Sequence, residues 1–317
     1  MTKSLFRSGS HGWRFSVCAV ALLIAIQILS ARAQAQGEGP RVYLLAPVDF
    51  NAVSVTYMDM SSNMNFAGNI LIPEAKVNSD VYAVNYNRFF SIGDRFSELW
   101  VTGVFGSVDG QVNGTPLGTL STEESGSGDP YIALRVGLIG APALQPADFV
   151  QHQQSFQMYA LAGLSLDAGD YSSTRVLNLG TGRSSLRLGV PMVIPFGRQS
   201  NTTWLEINPN VYLYEDNNDP FNASLREQEP LFVLETHLTH NVTRRFWVGV
   251  DLRYQTGGET TTDGVDDNNR LSQLGGGVSA GYQITRALSG FISYGEIIEK
   301  SDNSEGDMLR ARFIYTF

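Results

Sequence analysis

Apolar and polar residues alternate along most of the chain after Asn51, in runs of about ten residues that close on Gly, Asn, Asp or Pro. A period of two puts successive side chains on opposite faces of a strand. The clearest run is Phe246 to Gln255. Phe246, Val248, Val250, Leu252 and Tyr254 share one face, Gly249, Asp251, Arg253 and Gln255 the other, and Trp247 alone breaks the rule. A second run sets Leu205, Ile207, Val211 and Leu213 against Glu206, Asn208, Asn210, Tyr212 and Tyr214, and a third sets Leu186, Leu188, Val190, Met192 and Ile194 against Ser185, Arg187 and Gly189.

Twelve such segments begin near Val53, Val77, Leu99, Tyr131, Phe156, Ser185, Trp204, Leu231, Phe246, Leu271, Ser289 and Met308. The pattern is weakest near Val77 and Phe156, where either face could turn outward. Tight connections (residues 91–95, 197–201, 243–245 and 285–287) alternate with long polar ones (107–128, 167–182, 215–228, 256–269 and 300–306). The exception is the link 140–154, which is long and has room for a short helix. Strands of roughly 9–11 residues suffice to cross a hydrocarbon core, and an even strand count with unequal loops suits an outer-membrane barrel. The expected fold is therefore all-β: a closed antiparallel transmembrane β-barrel of about 12 strands, with short periplasmic turns and long extracellular loops. A soluble sandwich would alternate as well; export and the chain terminus argue against it.

The start of the chain reads as an export signal. Lys3, Arg7 and Arg14 precede an apolar run from Val17 to Leu29, and Ala31 with Ala33, or Ala33 with Ala35, offers a small-residue cleavage site. The expected division is residues 1–33 as secretory signal peptide, 34–50 as an N-terminal periplasmic segment and 51–317 as the barrel. The chain is 317 residues at −9; losing the first 33, with Lys3, Arg7, Arg14, Arg32 and no acidic residue, leaves 284 at −13. That charge argues against nucleic acid as a partner. The single Cys, Cys18, leaves with the signal, so no disulfide framework is expected. At the other end Leu309, Ala311, Phe313, Tyr315 and Phe317 alternate with polar neighbours, Ile314 excepted. An aromatic end built on Phe313, Tyr315 and Phe317 resembles the C-terminal sorting signal read by the barrel-assembly machinery.

Several stretches resemble a known family. Gly126-Ser127-Gly128-Asp129-Pro130 and the run GLIGAPAL (Gly137 to Leu144) are similar to the G-x-G-D-P and G-x-P-A-L signatures of the bacterial family named for the meta-pathway of phenol degradation. NLGTGRSSLRLGVP (Asn178 to Pro191), WLEINPNVYLY (Trp204 to Tyr214) and GGGVSAGYQIT (Gly275 to Thr285) follow in that family's order. The resemblance covers about Asn51 to Phe317. It implies an outer-membrane barrel transporter found near genes for aromatic breakdown, and it implies no catalytic residues.

In a membrane barrel the side chains that avoid lipid face the lumen. The candidate lining is Arg135, Arg187, Glu206, Asn208, Asn210, Glu235, His237, Asp251, Arg253, Arg310 and Arg312. Both signs of charge occur together, which suits either a polar constriction that sorts solutes or charges that pair and fill a narrow interior. Enzyme chemistry has no support. Only His152, His237 and His240 remain after export, no G-x-S-x-G elbow has the required strand-to-helix setting, and phosphate-binding glycine loops are absent. No cofactor or metal is implied; the acidic pieces 215–219 and 263–269 lack EF-hand spacing and read as solvated loops. The expected function is a channel for passive uptake of small, aromatic or hydrophobic molecules, with outer-membrane lipid, the assembly machinery and a solute as partners. A structural or surface-interaction barrel with a plugged lumen is the alternative.

Overall fold

In the computed structural model residues 37–317 are described, apart from 66, 68, 73, 116–117, 198–201 and 301–302. The expected signal peptide lies outside the described residues. Alternating segments form β1 (Asn51–Ser62), β2 (Ala75–Ile92), β3 (Arg95–Thr115), β4 (Gly118–Ser127), β5 (Tyr131–Ile139), β6 (Gln157–Ser165), β7 (Ser185–Gly189), β8 (Met192–Phe196) and β9 (Thr203–Tyr214). They continue as β10 (Arg226–Gln228), β11 (Leu231–Asn241), β12 (Phe246–Gly257), β13 (Thr260–Thr262), β14 (Val265–Asp266), β15 (Leu271–Gln283), β16 (Leu288–Lys300) and β17 (Gly306–Thr316).

Fourteen strands make one antiparallel sheet, which closes where β17 pairs with β1 from Ala52↔Thr316 to Ser62↔Gly306. β4 and β5 are two halves of one stave, interrupted at Gly128-Asp129-Pro130; β7 and β8 are halves of another, interrupted at Val190-Pro191. The barrel thus has twelve staves, as the alternation predicts, and its sheet closes on itself at the β17–β1 seam. Proline has no N–H for the ladder, so a break at Pro130 and Pro191 is where the backbone chemistry puts it.

The alternation sorts as lipid and lumen would demand. On β12, Val248, Val250, Leu252 and Tyr254 are exposed outside, while Asp251 and Gln255 are buried inside. Phe313, Tyr315 and Phe317 also stand on the outside. Trp247, the exception in the sequence, points inward against Gly281, where a Cβ would lie 2.2 Å from its ring. That contact accounts for one of the glycines of the GGGVSAGY strand.

One connection departs from expectation. The stretch 107–128 is a continuation of the sheet, not a polar loop: β3 and β4 pair from Phe105↔Ser127 to Thr115↔Gly118. Alternation there is masked because polar residues occupy both faces. The link 140–154 carries α1 (Pro146–Gln151), with proline in its first turn. β10, β13 and β14 form a small separate sheet at the long-loop end.

Candidate functional site

Residues 37–48, expected within a periplasmic segment preceding the barrel, lie inside it. The reason is chemical complementarity with the wall. Glu206 accepts the backbone N–H groups of Arg41 (2.7 Å) and Tyr43 (3.3 Å), so a β9 carboxylate satisfies two donors of a segment that has no ladder partner. The Arg41 guanidinium donates to Thr239 Oγ1 (3.0 Å) and Asn241 Oδ1 (2.8 Å), and its carbon lies 4.5 Å from the centre of the Trp247 ring. Glu38 pairs with Arg187 (Nη2–Oε2 3.0 Å) and accepts from the Tyr43 hydroxyl (2.9 Å). Arg187 also donates from Nε to Asn210 Oδ1 (2.8 Å).

Enclosure lifts the carboxyl of Glu38, but the Arg187 guanidinium and the hydrogen bonds from Arg187 and Tyr43 outweigh it and hold the group at about 2. Burial pulls Arg41 down to about 10 against the opposing pull of Glu206, and burial pushes the Tyr43 phenol well above its ordinary value.

The other side of the segment is apolar. Tyr43, Leu45 and Val48 are buried among Phe96, Trp100, Tyr159, Leu161 and Val193 of the wall. Burying one such aliphatic side chain stabilises by roughly 1.5–3 kcal/mol, whereas a buried ion pair comes close to break-even against its desolvation. The apolar side therefore supplies most of the docking energy, and the charged side fixes the register. Arg135 joins the two: it donates to the Tyr43 carbonyl (2.7 Å), pairs with Glu98 and sits over the ring of Tyr159 (4.5 Å). Two glycines permit the close approach. A Cβ on Gly37 would fall on the Glu235 carboxylate, and one on Gly39, whose φ is +87°, would meet Arg310.

The remaining lining residues form a second network. Glu235 meets Arg253 at 3.2 Å and His237 Nε2 at 3.9 Å, while His237 Nδ1 contacts Asp251 Oδ1 at 2.7 Å. Asn208 is fully buried, and its amide has no hydrogen-bond partner among the described residues. Arg310 is buried beside Gly39, and Arg312 donates to Thr56 Oγ1 (2.7 Å). Every candidate residue thus projects inward. The sequence reading missed the inner partners Glu38, Arg41 and Tyr43, which precede the first alternating run. It also missed Glu98, which its inward alternation with Phe96 and Trp100 could have revealed.

The motifs behind the family resemblance hold the mouth together. Asp129 accepts from Gly169 N (2.9 Å), Thr181 N (2.9 Å) and Thr181 Oγ1 (2.6 Å), and the Asp170 N–H reaches the Ser127 carbonyl at 2.8 Å. The G-S-G-D-P break in one stave thereby folds loop 166–184 inward, where Leu177 and Leu179 pack on Val77 and Val108. Gly140-Ala141-Pro142-Ala143-Leu144 acts at the other end: the Leu144 carbonyl accepts from Val48 N at 2.9 Å, below the inner segment.

Beside the segment a cavity of about 810 Å³ remains. Its lining runs from Ala52, Arg286 and Thr316 at the short-turn end to Asn69, Tyr214 and Leu231 at the long-loop end. Among the described residues no group of three or more His, Cys, Asp or Glu could hold a metal ion. Acidic loop residues are instead engaged locally, as when Asp263 accepts from Ser224 N (3.0 Å) and Leu225 N (2.9 Å).

A closed twelve-stave barrel, apolar outside, with a charged lumen partly filled by its own chain, has the architecture of membrane-spanning β-barrel proteins. The chain belongs to the family described by the MetA-pathway of phenol degradation, whose model matches residues 61–313. Among solved structures it is similar to an outer-membrane channel from Pseudomonas putida F1, at 21% identity over 89% of this chain and 100% of that one, with a TM-score of 0.74. It also resembles the translocator domain of the autotransporter NalP from Neisseria meningitidis, at 11% identity over 95% and 98% of the two chains, with a TM-score of 0.49. No curated protein matches.

Proposed function

We propose that this chain is a channel of the bacterial outer membrane, with short turns in the periplasm and long loops outside, through which small molecules move down their own gradients. The cavity of about 810 Å³ beside the inner segment carries this reading, because its lining reaches both ends of the barrel. The apolar exterior and the closed backbone suit a bilayer, which offers no water to unpaired N–H and C=O groups. Leu44, Phe50, Phe89 and Trp100 in the cavity wall favour solutes that include aromatic or hydrophobic ones, in keeping with the family's description. Insertion proceeds through the assembly machinery by way of Phe313, Tyr315 and Phe317. Purified protein in liposomes is expected to raise permeability to phenol and similar small solutes. Vesicles that stay tight to every solute, with or without residues 34–48, would overturn the proposal.

The second reading, a structural barrel closed by its own chain, is favoured by the inner segment and by loop 166–184 folded into the mouth. The double variant Glu235→Ala, Asp251→Ala separates the two. Conductance changes in a channel and stays absent in a plugged barrel.

A further inference from the structure

The charges along the open cavity do not balance. Its lining includes two carboxylates, Glu38 and Glu98, and five guanidiniums, those of Arg41, Arg135, Arg253, Arg286 and Arg312. Both carboxylates are already held by arginines, Glu38 by Arg187 and Glu98 by Arg135, and Arg253 is held by Glu235. The other three make no direct ion pair among the described residues, although Glu206 faces Arg41 and Glu38 acts on Arg312 from further off. Arg41 donates its side chain only to Thr239 and Asn241, Arg312 donates to Thr56, and Arg286 stands in the turn between β15 and β16. The imbalance is local, since the whole chain is acidic at −9.

The positions form a path. Arg286 stands at the short-turn rim beside Thr316. Arg312, four residues earlier than Thr316 on β17, is roughly 13 Å deeper along the strand. Around them the wall is small and polar: Ser54, Thr56, Asn85 and Ser289 present hydroxyls and amides and no competing carboxylate. Another part of the lining is apolar, from Leu44 of the inner segment and Phe50 just before β1 to Phe89 and Trp100 of β2 and β3. A guanidinium presents a planar fork that matches a carboxylate, and low-dielectric walls focus its field.

Resting on the reading of the barrel as a channel, we propose that the cavity is an anion-selective passage for small organic anions with an apolar body, and that Arg312 is its principal recognition residue, with Arg286 at its entrance. The carboxylate meets Arg312 and the Ser/Thr wall, while the body lies along the Phe89–Trp100 side.

The test uses full-length mature protein in planar bilayers and in detergent, with chloride and benzoate as probes. Under a potassium chloride gradient the wild-type reversal potential is expected to have the sign of anion preference. Arg286→Gln with Arg312→Gln should bring the permeability ratio to about one. In detergent, benzoate should quench the fluorescence of Trp100, and Arg312→Gln should weaken its binding about tenfold, the loss of one charged hydrogen-bonding partner, while Arg312→Lys keeps part of it. Cation preference in the wild type, or a ratio unmoved in the double variant, would overturn the proposal. Failure of the channel reading looks different: no current passes, yet benzoate still binds in a way that depends on Arg312. Neither current nor benzoate binding would remove both.

Discussion

At the scale of single residues, the lumen is governed by partners far apart in sequence. Glu38 and Arg187 are 149 positions apart, yet they form the ion pair that registers the inner segment. Removing one member leaves the other buried and uncompensated, which costs more than removing both. Glu38→Gln and Arg187→Met should therefore each increase protease cleavage within residues 37–48 more than the double variant does; additive effects would refute this. Asp129 is a similar case at the mouth. Its carboxylate accepts three hydrogen bonds from loop 166–184, and hydrogen bonds to a charged group are worth about 1.5–3 kcal/mol each. Asp129→Ala should speed amide exchange in that loop while leaving the barrel's resistance to detergent intact. That the polar set Glu206, Asn208, Asn210, Asp251 and Arg253 faces inward was legible from alternation alone. Which carboxylate meets which guanidinium was not, because pairing depends on register between staves, and period two says nothing about register.

At the scale of elements, legibility follows apolar contrast. Staves crossing the membrane zone must put apolar side chains on one face, so their pattern is strong; β12 is the plainest example. Above that zone water wets both faces, and the β3–β4 hairpin keeps its ladder while losing the pattern, which is why Ser107 to Gly128 reads as a loop. The inner segment escapes for another reason. It makes few strand hydrogen bonds of its own, takes its donors' partners from Glu206, and buries Tyr43, Leu45 and Val48 at a spacing that belongs to no regular element. Deleting residues 34–48 should raise single-channel conductance severalfold, measured in planar bilayers; an unchanged conductance would mean the current bypasses the lumen. Acid should act in the same direction. Because docking lowers the Glu38 carboxyl from its ordinary 4.5 to about 2, the pair's contribution is complete above about 4.5 and fades as pH falls toward 2. Cleavage of the segment by an acid-stable protease should rise across that window in the wild type, and the rise should be much smaller in Glu38→Gln.

At the scale of the whole molecule, one seam decides whether there is a barrel. β17 must meet β1, and beyond the ladder itself the seam is clasped by Asn51 N–H to Phe317 O (2.8 Å) and Phe317 N–H to Asn51 O (2.9 Å). Without that stave β16 and β1 would each present a row of unpaired backbone groups to lipid, at a cost of several kcal/mol per group. Truncation before Gly306 should therefore abolish the folded, heat-modifiable form on gels. Phe317→Ala is the informative contrast. The ring points outward and its backbone makes the clasp, so the substitution removes lipid contact and part of the expected sorting signal while the seam persists. Refolded from urea into detergent, where no assembly machinery acts, Phe317→Ala should recover the heat-modifiable form as the wild type does; expressed in cells, it should reach the membrane in smaller amounts. Loss in both settings would mean that the terminal ring holds the cylinder shut, and equal yield in both would mean that Phe317 carries no sorting information.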